Sequence, residues 1–371
     1  MTDMPPFEIF LACTPGLETA LADEARAAGF DAPVVTGGGV TIQGTWPDVW
    51  RANLTLRGAG RILARIGAFR AFHLAQLDKR ARKFPWGEVL RADQPVRVEV
   101  SCKASKIYHA GAAAQRIETA LREELGVTVA PDADLRIMAR IDDDLVTLSV
   151  DTSGESLHKR GHKLAVGKAP MRETLAALFL HQCGFDGREP VLDPMCGSGT
   201  FVIEAAEIAA GLLPGRSRTF GFEKLATFDE AAWQAMRAPR PLGVPPFMFY
   251  GSDRDDGAVR SSLANAERAG VSDFTAFTQG SVADLERPDG PPGLVIVNPP
   301  YGARIGNKKL LYAVYGTLGK TLLARFSGWR VGMVTSDAGL AKVSGLPFLP
   351  PGPWVPHGGL KVGLFKTGRL K

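Results

Sequence analysis

Apolar and polar positions change rhythm along the chain. Residues 7–13 (FEIFLAC) predict a strand, PGLETALADEARAAG predicts a helix ending at Gly29, and 33–43 predict a hairpin around Gly37-Gly38-Gly39. A helix is predicted over 46–56 (WPDVWRANLTL), with Pro47 in its first turn, where the missing N–H has no helical partner to lose. Over 61–72 apolar residues mix with Arg61, Arg65 and Arg70, and no element is assigned. In VRVEVSCK (96–103) Val96, Val98 and Val100 alternate with polar neighbours as one face of a strand does. AAAQRIETALREELG (112–126) predicts a helix closed by Gly126. LRIMARI and LVTLSVD predict a hairpin across Asp142-Asp143-Asp144, an acidic triplet read as turn chemistry.

HKRGHKLAVGKAP (158–170) reads as a linker, and the grammar changes after it. Apolar strands at 190–193, 247–252, 274–279, 293–297 and 330–336 alternate with helices, which predicts a largely parallel, doubly wound sheet. Residues 211–246 interrupt the alternation and read as an insertion.

A chain of 371 residues, 45% hydrophobic and 22% charged, predicts two or three domains and excludes a disordered or disulfide-stapled class. Cys13, Cys102, Cys183 and Cys196 are scattered without metal-ligand spacing, so reduced thiols in a cytoplasmic protein with no bound metal are expected. The acidic start MTDMPPFEIF lacks the apolar core of a signal peptide, and no apolar run approaches the roughly 18 residues of a spanning helix. The net charge of +5 says little until it is mapped. Residues 1–50 hold one Arg against seven acids, whereas 51–110 hold thirteen Lys or Arg against four acids. Basic charge gathered in one stretch suits a polyanion.

Two segments carry chemistry. In PVLDPMCGSGTFVIEAA (190–206) a strand ends at Asp193 and a Gly-rich turn opens a helix. No Lys follows as in a phosphate loop, and Val202 stands where a dinucleotide loop has its third Gly. S-adenosylmethionine fits better: Asp193 suits its ammonium, and Asp253, ending the next strand in FMFYGSDRD, suits the ribose hydroxyls. The second segment is GLVIVNPPYG (293–302). Pro299 and Pro300 bring no N–H donors, so Asn298-Pro299-Pro300-Tyr301 is a run of acceptors beside a ring that can stack on a base. Such a notch suits an exocyclic amine. Cys196 is read as packing, and His158 and His162 as surface or RNA-facing groups in a cationic loop.

DPMCGSGT together with NPPYG resembles the class I S-adenosylmethionine-dependent amino-methyltransferases. DTSGESLHKRGHK (151–163), APMRETLAALF (169–179), FGFEK (220–224) and HGGLKVGLFKTGR (357–369) narrow the resemblance to the THUMP-domain RNA guanine-N2 methyltransferases, and WGEVL (86–90) and SKIYHAGA (105–112) look like that family's THUMP domain. The resemblance implies an α/β architecture with a Rossmann-like class I methyltransferase domain at 161–371, preceded by a ferredoxin-like element at 1–66 and an α+β THUMP domain at 67–160. It implies a cofactor loop of Asp193, Gly197, Ser198, Gly199 and Thr200, a ribose acid at Asp253, and a target-base motif of Asn298, Pro299, Pro300 and Tyr301. Thr174, in the helix the family places near the methionine carboxylate, is the candidate donor there. The family's acid for the adenine amine is replaced: Ser281 holds that position and Asp284 lies three residues on.

The implied reaction moves a methyl group to the N2 amine of a guanosine, with ribosomal RNA of the large subunit favoured over transfer RNA as partner. An adenine-N6 methyltransferase and a non-catalytic RNA-binding assembly factor are the alternatives. A flipped or single-stranded base is expected, since an amine inside a helix is out of reach. Arg80, Arg82, Lys83, Lys103 and Lys106, with Arg160 and Lys163 at the linker, are the candidate phosphate contacts.

Overall fold

A computed structural model describes residues 5–164, 171–239, 243–301 and 308–371. Residues 165–170 of the expected linker and Gly302 of the second motif lie outside the described residues. The chain divides into two compact units. One comprises residues up to Cys13, Ala25–Leu157 and Arg218–Pro239, and the other comprises the rest.

The first unit is built on a seven-stranded sheet. Its strands are β1 (Phe7–Ala12), β2 (Val34–Thr36), β3 (Gly39–Gly44), β4 (Arg61–Arg70), β5 (Val96–Lys103), β6 (Leu135–Asp142) and β7 (Leu145–Asp151), in the order β2-β3-β1-β4-β7-β6-β5. All pairs are antiparallel except β5 with β6. The unassigned stretch at 61–72 thus contains β4, which pairs β1 through Arg61–Ala64 and β7 through Leu63–Arg70. Residue 66, where the first expected domain ends, falls inside this shared strand. The first helices in chain order are α1 (Glu18–Ala27), most of which belongs to the second unit, then α2 (Trp46–Thr55), α3 (Leu74–Arg82) and α4 (Ala110–Ala120) of the first. α2 starts where a capping box dictates, with Asp48 accepting from the Thr45 N–H at 2.9 Å. Ile137, Ile141, Val146, Leu148 and Val150 are fully buried, as the alternation in β6 and β7 predicts.

The second unit holds α5 (Glu173–Gln182), β8 (Val191–Asp193) and α6 (Thr200–Ala209). The chain then returns to the first unit with α7 (Glu230–Arg237). Most of the expected insertion is therefore part of the N-terminal core. Trp50 of α2 stacks on Phe222 at 6.0 Å and meets Phe228 edge-on at 5.9 Å, and Trp233 packs edge-on against Phe222 at 4.9 Å. The Phe222 N–H donates to the Thr152 carbonyl at 3.0 Å. Gly221 is needed beside it, because a Cβ there would lie 2.9 Å from the Asp151 carbonyl.

The chain continues with β9 (Phe249–Asp253), α8 (Asp256–Ala269), β10 (Thr275–Gln279), β11 (Leu294–Val297), α9 (Lys308–Arg325), β12 (Arg330–Thr335), α10 (Ala338–Val343), β13 (Val355–His357) and β14 (Leu360–Lys366). The second sheet has the order β10-β9-β8-β11-β12-β14-β13. Its first five strands run parallel, and β14 returns antiparallel to β12 and β13. The strand order reverses between β8 and β11, and open α/β sheets bind ligands at such a reversal. No helix among the described residues is long and apolar enough to cross a membrane.

Candidate active site

A cleft of about 660 Å³ opens at the carboxyl ends of the four strands around that reversal. Pro194 and Met195 follow β8, Asp253 ends β9, Ser281 follows β10, and Asn298–Tyr301 follow β11. α9 closes one side with Leu310, Ala313, Val314 and Thr317. The Asn-Pro-Pro-Tyr turn thus lines one cavity with Pro194 and Met195, the residues that lead from β8 into the glycine turn, and the cavity has the size of small-molecule sites.

The glycine turn is clamped from behind by α8. Ser262 donates to the Gly197 carbonyl at 2.9 Å, and Asn265 donates to the Ser198 carbonyl at 3.0 Å. Gly197 and Gly199 have φ of 55° and 81°, and a Cβ on Gly199 would press into Ser262 at 3.1 Å. Within the turn the Gly199 N–H donates to the Cys196 carbonyl at 2.8 Å, and the Cys196 N–H donates to the Ser252 carbonyl at 2.9 Å. The Gly197 N–H donates to Asp253 at 3.0 Å, and the other Asp253 oxygen accepts from the Asp255 N–H at 3.0 Å. Asp253 is held rigidly at the cleft wall, with lone pairs left for hydroxyl donors.

Asp193 is 2% exposed and accepts from the Met195 N–H at 3.0 Å. Burial, with the Asp253 charge adding to it, raises its pKa to about 8 against that hydrogen bond. A buried carboxyl beside a second carboxylate lacks a cation, and an ammonium would supply it. Cys196 is buried with its sulfur 3.7 Å from the Ser262 hydroxyl, and burial pushes its thiol up, which suits packing and not nucleophilic attack.

On the opposite wall Asn298 Oδ1 is buried and has no hydrogen-bond partner among the described residues. The ring of Tyr301 lines the cleft and is 4% exposed. Beneath, the Tyr315 hydroxyl donates to Thr335 at 3.0 Å. Leaving a buried acceptor unmade costs about 1–3 kcal/mol, a cost a ligand's N–H would remove.

Other expected residues fall elsewhere. Asp193 at the end of β8 and Gly197, Ser198, Gly199 and Thr200 of the turn lie behind Pro194 and Met195 and not in the cleft lining itself. Thr174 is buried in the first turn of α5, also outside the lining. Ser281 lines the cleft, whereas Asp284 is exposed and does not.

Three expected phosphate contacts are corrected. Arg160 and Glu204 form a fully buried pair at 3.3 Å. Lys163 is buried 3.3 Å from Glu173 and donates to the Met171 carbonyl at 2.6 Å. Arg82 is spent on Asp78 at 2.9 Å, Glu124 at 3.2 Å and Glu123. His162 is likewise no surface group: it is buried 3.7 Å from Glu207, and burial lowers its pKa. His158 is half-buried, and burial followed by the Arg172 and Lys163 charges lowers it to about 4. The sequence did carry the signal. Glu204 and Glu207 sit in TFVIEAAEIA, an otherwise apolar helix, and buried acids require cations. Arg80, Lys83, Lys103 and Lys106 are exposed as expected.

A parallel sheet with an antiparallel penultimate strand, a clamped glycine turn and an Asn-Pro-Pro-Tyr turn at the strand-order reversal define a Rossmann-like class I methyltransferase domain. The model of the RMKL-like methyltransferase domain matches residues 160–346, and that of the RlmL ferredoxin-like domain matches 8–63. The chain belongs to the RMKL-like methyltransferase family. It is 36% identical over 361 residues to the ribosomal RNA large subunit methyltransferase K/L of Syntrophotalea carbinolica and 35% identical to that of Pseudomonas aeruginosa. Each alignment covers 92% of this chain but 51% and 50% of the relative, so the chain spans about half their length. A solved structure of SMU.472 complexed with SAH is 26% identical, has a TM-score of 0.86, and is matched over 99% of both chains.

Proposed function

We propose that this chain is an S-adenosylmethionine-dependent RNA methyltransferase acting on the N2 amine of a guanosine in large-subunit ribosomal RNA, in the cytoplasm. The observation that carries the reading is the buried Oδ1 of Asn298, without a hydrogen-bond partner among the described residues, on a residue that lines the same cleft as Asp253 and Met195. The names of the two curated relatives support the substrate class. The SAH complex of the similar SMU.472 structure supports the cofactor class.

The residues fit the cofactor. Asp193 would balance its ammonium, Asp253 would accept from its ribose hydroxyls, and Ser281, which lines the cleft, would meet its adenine. Gly197, Ser198, Gly199 and Thr200 would support the cofactor side of the cleft from behind Met195, and Thr174 is the candidate partner of the carboxylate. When bound, S-adenosylmethionine supplies an electrophilic methyl group on a sulfonium.

The protein's work is positioning. An exocyclic amine has two N–H donors, and Asn298 Oδ1 and the Pro299 carbonyl are two acceptors on one turn. Holding both N–H groups fixes the nitrogen and turns its lone pair away from the turn and into the cleft. Orientation of this kind supplies at most about 7–11 kcal/mol of barrier lowering. No base is required, because the amine proton becomes acidic only as the new bond forms. Tyr301 offers its ring to the base. Residues 1–66 and 67–160 are read as the ferredoxin-like element and the THUMP part that dock RNA, with Arg80, Lys83, Lys103 and Lys106 on phosphates.

Nucleoside mass spectrometry on separated ribosomal and transfer RNA from a deletion strain tests the reading. N2-methylguanosine should fall in the large-subunit pool. A loss confined to N6-methyladenosine, or to transfer RNA, would replace the substrate.

A further inference from the structure

Three chain segments meet at one corner of the first unit: the end of β4, the loop after β5, and the turn between β6 and β7. The Ala71 N–H donates to the Asp144 carbonyl at 3.0 Å, the Lys106 N–H donates to Asp144 Oδ1 at 2.7 Å, and the Asp144 N–H donates to Ser105 Oγ at 3.0 Å. Three non-glycine residues there are left-handed: Ala104 at φ 45°, Asp143 at 52° and Asp144 at 61°. Strain of this kind persists only where the surroundings enforce it.

What the enforced corner presents is unusual for a solvent face. Ile107 is buried and anchors the loop, while its neighbour Tyr108 is 85% exposed, the most exposed large apolar side chain among the described residues. His109 caps α4 through Nδ1, accepting from the Ala112 N–H at 3.0 Å, which fixes the backbone that carries Tyr108. Phe72 is 41% exposed, and the Lys106 ammonium sits 4.9 Å from its ring centroid. Lys103 and Lys106 flank the strained residue, both exposed. Exposed aromatic rings beside exposed ammonium groups, on a backbone already ordered, match a stacked base with phosphates on either side.

We propose that Tyr108 is a stacking platform for an unpaired base of the RNA, with Lys103 and Lys106 on the adjoining phosphates. The proposal rests on the RNA reading above and adds to it a single-stranded contact in the first unit. The rigid loop keeps the ordering cost of binding low. A protein partner is the competing occupant, and it has no reason to prefer unpaired RNA.

The test is fluorescence anisotropy on the full chain with a short labelled single-stranded oligoribonucleotide and with the same strand annealed to its complement. Tyr108→Ala should weaken single-strand binding about 5- to 150-fold with little effect on the duplex, and Tyr108→Phe should restore it, since the ring remains. Lys106→Gln should instead lower the slope of log affinity against log salt by about 0.7. Cofactor binding measured by calorimetry should be unchanged in all three, and so should the circular dichroism spectrum and thermal transition of the full chain, which report that the unit carrying the substitutions is folded. Single-strand binding that survives Tyr108→Ala, or an equal loss on duplex and single strand, overturns the stacking role. Absence of RNA binding by the unmodified chain overturns the RNA reading and this proposal together.

Discussion

Asp193→Asn removes a negative charge from the end of β8 while keeping an Oδ1 to accept from the Met195 N–H. In the folded chain the carboxyl is 2% exposed, and burial, then the Asp253 charge, raises its pKa from 3.8 to about 8. The unfolded chain releases this proton near pH 4, whereas the folded chain keeps it until about pH 8. The sign follows. Stability is greatest below the unfolded pKa and is lost as pH rises toward the folded one, at about 1.4 kcal/mol per unit and with a ceiling of about 6 kcal/mol. Asparagine bears none of that cost. Chemical denaturation of the cofactor-free proteins should therefore show Asp193→Asn to be the more stable, by a margin that widens from pH 5 to pH 8. Cofactor affinity should move the other way. Calorimetric titration with S-adenosylmethionine should show wild-type affinity rising toward tenfold per pH unit below about pH 8 and levelling above it, while the variant binds weakly and with a flatter profile. A variant less stable than wild type at pH 8, or a wild-type affinity flat between pH 6 and pH 8, would refute the assignment of Asp193 as an uncompensated acid awaiting a cation.

The remaining predictions concern stability and docking. Trp233→Ala should destabilise the N-terminal unit by about 3–5 kcal/mol, because a fully buried indole leaves a cavity beside Phe220 and Phe222; denaturation followed by fluorescence reads it. Arg160→Met should cost about 3–5 kcal/mol by removing a buried cation 3.3 Å from the buried Glu204, and adding Glu204→Leu should recover most of the loss. Neither Arg160 change should alter the salt dependence of RNA binding in a filter assay, since the guanidinium is buried.

The second sheet was legible because its information is local. Each parallel strand is a short apolar run ending in a polar turn, and the two turns that matter carry residues with few other uses, a Gly-Ser-Gly after an acid and an Asn-Pro-Pro after a strand. β4 was hidden because Arg61, Arg65 and Arg70 break the apolar pattern. Arg61 answers the buried Asp151 at 2.5 Å, ninety residues away in sequence. The linker cations were misplaced for the same reason: local charge reads as surface, and only the positions of Glu173, Glu204 and Glu207 reveal that these charges are interior. Residues 218–239 show the other limit. Phe220, Phe222, Phe228 and Trp233 announce a core, but no local pattern says whose core they fill.

The central claim is that Asn298 holds a base amine against the cofactor wall of one cleft. The most direct measurement pairs Asn298→Ala with wild type on S-adenosylmethionine and protein-free large-subunit RNA, reading N2-methylguanosine by mass spectrometry and cofactor affinity by calorimetry. Loss of one preorganised partner of this kind costs about 100- to 1,000-fold in rate, so methylation should fall at least that far while cofactor affinity stays within about twofold. Methylation at the wild-type rate by Asn298→Ala would contradict the account.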